Sequence, residues 1–310
     1  MFGGRLPEAR ASPLRSGDKF ESAGVMHKFF TALTSMVLLA ALGSAATAGT
    51  IDTIRARGAM IIGYRADAAP FSSLGPDQKP QGYSIDLCDR IASAVKAQLN
   101  LPKLRVRYVA VTAENRIGKL KSGAIDIECG TTTRTISRQA QVDFTLFTFL
   151  SGTDLLVTAN SSIHGVGDLA SKRIAIQPGT TTETVVKQLF GLRLIPVTTV
   201  PVQSAADGLA ALESGQVDAY ASDEAVLLRL AASAKNPKSL RLGGTLLSYE
   251  PYAFMVRQND AAFRLVADRT LALIFQNGDI TKIYDRWFGQ WQAEPPPLLR
   301  ALYDIESLGP

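Results

Sequence analysis

The sequence predicts an α/β fold of two lobes, each a sheet flanked by helices. Three observations lead there: a repeated segment, the alternation of short apolar runs with helix-period stretches, and polar residues gathered just past the ends of those runs. The repeat pairs Leu120-Lys121-Ser122-Gly123-Ala124-Ile125-Asp126 with Leu212-Glu213-Ser214-Gly215-Gln216-Val217-Asp218. Each copy ends a helical pattern. Its glycine suits the left-handed position after a helix, because it has no Cβ to clash. A short apolar strand follows in each copy, at 125–129 and 217–221, and another precedes each helix, at 106–111 and 195–202. Strand–helix–glycine–strand occurring twice implies two α/β units of similar build. Each unit opens on one more strand, 59–64 in the first and 173–176 in the second.

Residues 29–42 form an apolar run after Lys28 and lead into Ala46-Thr47-Ala48. A basic start, a short apolar stretch and small residues make a secretory leader. The run is shorter than the ~20 residues of a spanning helix, so export to the periplasm with cleavage near Ala48 is expected. Met26 is the natural start of that leader (26–48), which leaves residues 1–25 as a mis-assigned start. Loss of residues 1–48 removes five basic and three acidic residues and lowers the net charge from +5 to +3. No Lys/Arg run is long enough to suggest nucleic acid.

The exported chain keeps one histidine, His164, in a polar stretch that reads as a surface loop. That removes the usual Ser-His-Asp and Cys-His catalytic sets, so no catalytic residues are expected. No cofactor or metal is expected either, since a cysteine-rich zinc site is not available. Cys88 and Cys129 have two readings: a disulfide suited to an oxidising compartment, or two buried thiols. The disulfide would close a loop of about 40 residues, worth ~4 kcal/mol on the chain-entropy model.

Ligands of α/β sheets bind beyond the carboxyl ends of strands. Here those positions are Arg65, residues 112–116, 130–133 and 179–182, and Ser222-Asp223. They share a chemistry. Arg65, Arg116 and, a little further on, Arg138 are cations; Thr112, Thr131, Thr133, Thr180 and Thr181 carry hydroxyls; Asp223 is a lone carboxylate. An amino acid zwitterion needs an arginine for its α-carboxylate, a carboxylate for its ammonium and small donors around both. The helix expected after residue 180 would add backbone N–H groups for an anion. Arginines beyond the first favour a ligand with a second carboxylate. Each residue also has a plainer use: Arg65 as a solvated loop residue, Arg116 on a helix surface, Arg138 in a local ion pair, Asp223 as the N-cap before Glu224, and the threonines as turn residues. Their convergence after strand ends in both units favours binding.

The last third reads as helical. Ile280, Ile283, Tyr284 and Trp287 keep helical spacing after a break at Asn277-Gly278, with Trp287 expected in the core. The tail from Glu294, with prolines at 295–297, reads as an extended surface segment.

Several stretches resemble the periplasmic polar amino acid-binding proteins of ABC transporters. They are Ile62-Gly63-Tyr64-Arg65 with Pro70-Phe71-Ser72, Gly82-Tyr83-Ser84-Ile85-Asp86, Glu128-Cys129-Gly130-Thr131-Thr132-Thr133, and residues 278–288 ending in Trp287-Phe288. Asn115-Arg116-Ile117 together with Glu128-Cys129-Gly130 is similar to the glutamate/aspartate-binding branch. The resemblance implies a type II periplasmic-binding-protein-like fold whose chain crosses between lobes near 153–157 and 251–255. Lobe 1 would comprise 49–154 and 254–310, and lobe 2 would comprise 155–253. It also implies roles: Arg138, Thr133 and Thr180 on the α-carboxylate, Asp223 and Thr131 on the ammonium, Arg65 and Arg116 on a side-chain carboxylate, and Phe71 as a pocket wall. A monomer that docks on an inner-membrane permease is implied as well. Two departures stand out. Ala113 and Ala205 replace the serine and histidine that acidic-amino-acid binders place beside the side-chain carboxylate. Neutral ligands such as glutamine or asparagine therefore remain an alternative. So does a cyclohexadienyl (arogenate/prephenate) dehydratase-like enzyme on the same scaffold, for which Asp223 or Glu183 would have to be the general acid.

Overall fold

The structure, a computed structural model, describes residues 49–307. The expected leader and the segment before it lie outside the described residues. Strand β1 (Ala59–Arg65) pairs in parallel with β5 (Arg105–Val111) on one side and β6 (Ile127–Cys129) on the other. The second half repeats this arrangement. There β8 (Arg173–Ile176) lies in parallel between β9 (Thr198–Pro201) and β10 (Ala219–Asp223). Each half thus has the order second, first, third, and each is completed by an antiparallel crossing strand. Strand β12 (Ser248–Val256) follows β6, and β7 (Asp143–Thr158) follows β10. Strands β7 and β12 also pair with each other, from Thr153 opposite Ser248 to Asp143 opposite Val256. The halves therefore share one sheet. Strand β11 (Leu240–Leu242) closes the second half against the far end of β7. A small sheet of β2 (Asp67–Ala68), β3 (Ser72–Leu74) and β4 (Pro80–Gln81) follows β1.

The repeated segment does the same work in both halves. Its helices are α3 (Arg116–Lys121) and α6 (Ala205–Glu213), whose final leucines Leu120 and Leu212 are buried. Gly123 and Gly215 then turn the chain at φ +77° and +74°, a conformation that opposes a side chain. Asp126 accepts from the Ile61 backbone N–H at 2.8 Å, and Asp218 accepts from the Arg173 N–H at 2.8 Å. Each aspartate thereby ties its own strand to the first strand of its unit. Their surroundings differ. Asp126 is fully buried and also pairs with Arg57 and Arg257, whereas Asp218 pairs near the surface with Arg173.

Strand residues alternate between the two faces of a sheet. In the second half Ile174 and Ile176 enter a core with Val186 and Phe190, while Ala175 joins Tyr220, Leu212 and Leu227 on the other side. Both faces are thus covered, as parallel strands require. One covering helix is α5 (Thr181–Arg193) and another is α7 (Glu224–Ala232). The first half is covered by α1 (Thr50–Arg57), α2 (Tyr83–Gln98), α8 (Ala261–Gln276) and α9 (Asp279–Phe288), with the short α4 (Ile136–Gln139) before β7. Trp287 packs against this core and donates its indole N–H to Asp86 at 2.8 Å.

The tail departs from expectation. It forms α10 (Pro297–Glu306), which buries Leu299 and Tyr303. Proline suits the first helical turn, where its missing N–H has no partner to lose. The Tyr303 hydroxyl lies 2.8 Å from that of Tyr83, which donates to the Thr148 carbonyl. Cys88 on α2 and Cys129 on β6 are joined by a disulfide buried in this core. Reduction is expected to lower the unfolding free energy by about 4 kcal/mol. A urea transition that keeps its midpoint when dithiothreitol is added would contradict this.

Candidate functional site

The carboxyl ends of β1, β8 and β10 and the loop after β6 meet at a cavity of about 420 Å³, solvent-open space included. Arg65 and Arg116 enter from the first half, Thr180 and Asp223 from the second. Arg116 opens α3 and is only 2% exposed, and its Nε and Nη1 have no hydrogen-bond partner. Burial, with Arg138 and Arg65 adding to it and Glu128 opposing it, pushes the Arg116 guanidinium down to about 9. Asp223 occupies the N-cap position of α7 without making a capping bond. Its Oδ1 is buried and unpartnered. Burial first, and Glu250 second, push this carboxyl up to about 7. One cationic and one acidic group therefore face the same cavity with bonding capacity unspent. Leaving buried charge unpaired costs several kcal/mol.

Arg65 is differently placed. Its Nε and Nη2 each donate to Asp67 at 2.9 Å, and Nη2 also reaches Gln177 Oε1 at 3.2 Å. Gln177, at the end of β8, donates to Asp67 Oδ2 and to the Gln203 carbonyl, both at 2.8 Å. Against the effect of burial, Asp67 holds Arg65 above its ordinary value, and Arg65 holds Asp67 below the usual carboxylate range. Gly130 lets the arginine pass. A Cβ there would lie 2.9 Å from Arg65 Cγ and 2.3 Å from Glu128 Oε1.

Thr131 and Thr181 line the cavity beside Thr180, whose hydroxyl caps α5 by accepting from the Glu183 N–H. Thr181 also lines an adjoining groove that holds Thr133 and Arg138. Arg138 donates there to the carbonyls of Thr133 at 2.8 Å and Gly179 at 3.4 Å, and it does not line the cavity with Arg116. The hydroxyls of Thr133 and Thr181 donate to the buried Glu250, at 2.6 and 2.7 Å. Ser248 and Thr153 donate to its other oxygen. The expected α-carboxylate set is therefore divided: Thr133 donates to a carboxylate of the protein's own, Thr180 donates to the Gln177 carbonyl at 2.7 Å beside the cavity, and Arg138 bonds two backbone carbonyls.

Two expected residues lie elsewhere. Phe71 is fully buried, with its ring 4.8 Å from Phe149 and 5.3 Å from Tyr252 and Phe288, so it belongs to the aromatic core and not to the cavity wall. Thr112 exchanges two hydrogen bonds with Asn115, the local turn that leads into α3. His164 is exposed. Glu183 is bonded to Lys187 and to the Gly179 N–H, outside the cavity. Ala205 lines the cavity, and a larger side chain there would enter it. Ser222, named with Asp223 at its strand end, lines the cavity, whereas Asp67, Gln177, Glu128, Tyr220 and Glu250 are not marked by the sequence for a place at the site. The strand-end rule could have found Asp67 and Gln177. No local pattern marks Glu250.

The sequence is similar to known proteins along most of its length. It is 38% identical to the L-glutamate/L-aspartate-binding protein of Pseudomonas aeruginosa, over 84% of this chain and 86% of that one. It is 34% identical to the glutamate/aspartate import solute-binding protein of Escherichia coli, over 91% and 94%. Among solved structures, the cysteine-binding protein of Campylobacter jejuni superposes with a TM-score of 0.70 at 26% identity, over 79% of this chain and 94% of that one. The model of the bacterial extracellular solute-binding proteins, family 3, matches residues 60–290, and the chain belongs to that family.

Proposed function

We propose that this chain is the periplasmic binding component of an amino acid ABC importer and takes an acidic amino acid, glutamate or aspartate, into the cavity between its halves. A single observation carries the reading: Arg116, with Nε and Nη1 buried and unpartnered, and Asp223, with Oδ1 buried and unpartnered, line one cavity. A zwitterion with an extra carboxylate supplies what both lack. Arg116 offers two donors to a carboxylate. Asp223 accepts from the ammonium, and Thr131, Thr180 and the N-terminus of α5 supply further polar groups. The relatives' glutamate and aspartate ligands point the same way.

Two apolar cores whose buried residues all fall between Leu155 and Leu240 support lobe boundaries near residues 154 and 254. The chain then acts as a monomer that delivers its ligand to a membrane permease. Calorimetric titration of residues 49–310 with glutamate, aspartate, glutamine and asparagine tests the assignment. Binding of an acid is expected, and silence toward all four would overturn it. Arg116→Ala should weaken acid binding by about 10²-fold, the consequence of removing one partner of a buried pair.

A further inference from the structure

Resting on that reading, we infer that Asp67 sets how strongly this pocket prefers an acid over its amide, by occupying Arg65. A guanidinium has five N–H donors. Those on Nε and Nη2 of Arg65 are directed at Asp67 and Gln177, which leaves Nη1. The unspent cation of the cavity is therefore Arg116, whose Nε and Nη1 are free. Asp67 itself lines the cavity, with its side chain 21% exposed. A ligand carboxylate that approaches Arg65 meets an ion pair, not a lone cation. It is attracted by the arginine and repelled by the aspartate beside it. An uncharged amide is spared that repulsion.

Gln177 fixes the arrangement from the opposite half. Its Nε2 holds Asp67 and the Gln203 carbonyl, and its Oε1 accepts from Arg65, so the amide has one orientation. The same contacts join the halves, since Arg65 and Asp67 belong to the first and Gln177 and Gln203 to the second. A substitution at Asp67 can thus act in two ways, and they are separable. Loosening the bridge between the halves alters binding of every ligand alike. Freeing Arg65 helps acids alone. The discriminating quantity is the affinity ratio of glutamate to glutamine.

Calorimetric titrations of the wild type, D67N and D67A with both ligands decide between them. D67N keeps the shape and removes the charge, and D67A removes both. The ratio is expected to rise by about tenfold or more in each variant, with glutamate binding tightened. A ratio unchanged within twofold, or an equal change for both ligands, would overturn the inference. Thermal melting without ligand confirms that the variants fold, and D67N alone suffices if D67A does not. If the wild type binds none of the four amino acids named above, the functional reading falls. The role of Asp67 falls with it unless D67N then binds glutamate.

Discussion

Asp223→Asn is expected to weaken glutamate and aspartate binding by about 10²–10³-fold, the loss that follows when one partner of a buried charge pair is removed. The side chain caps no helix and its Oδ1 is buried without a capping bond, while its charge acts on its neighbours Tyr252, Arg116 and Arg138. The same residue sets a pH dependence. Burial, then Glu250, push its carboxyl up to about 7. A ligand ammonium favours the ionised form and pulls it back down, so binding expels a proton. Affinity should be fully present above pH 7 and fall as the pH drops below it, by up to about tenfold per pH unit. In D223N that slope should vanish. Calorimetry between pH 5.5 and 8 reads both effects, and an equal slope in the two proteins would remove Asp223 from the ammonium site.

The second large effect concerns stability and compares the two copies of the repeat. Asp126→Ala is expected to cost about 3 kcal/mol, because a fully buried carboxylate holds the Ile61 N–H, Arg57 and Arg257 together. Asp218→Ala should cost no more than about 1 kcal/mol, since its ion pair with Arg173 stands near the surface in water. Urea unfolding of both variants measures the difference. Equal losses would mean that the backbone bond common to both sites dominates, and not the buried charges.

These aspartates also show what a sequence can disclose. The repeat was legible because each of its positions has a local cause: a buried leucine, a glycine with positive φ, a β-branched residue and an aspartate that ties down the next strand. Arg116 and Asp223 were legible because strand ends are where such sheets bind ligands. The engagement of Arg65 was not, since Gln177 reaches it across 112 positions of sequence. Arg138 and Thr133 lie apart from Arg116 because they pack around Glu250, which sits on a crossing strand with no pattern to distinguish it. Phe71 resembled a pocket wall, yet the aromatic rings that enclose it come from β7, β12 and the end of α9. The tail failed for a simpler reason. Consecutive prolines suggest an extended chain, but the last of them can also begin a helix.

Strands β7 and β12 belong to both halves and are hydrogen-bonded to each other along most of their shared length. The halves therefore cannot slide past or part from one another without breaking that ladder. What remains is flexure of a two-strand ribbon, a leaf spring that twists more readily than it stretches. Its ladder shifts register between Tyr252 and Ala253 and again between Ala253 and Met255. An irregular ladder is locally weaker and more strongly twisted. Bending concentrated there would leave each half's own strand pairing intact. It would swing Asp223 and Thr180 relative to Arg65 and Arg116 as two rigid sets.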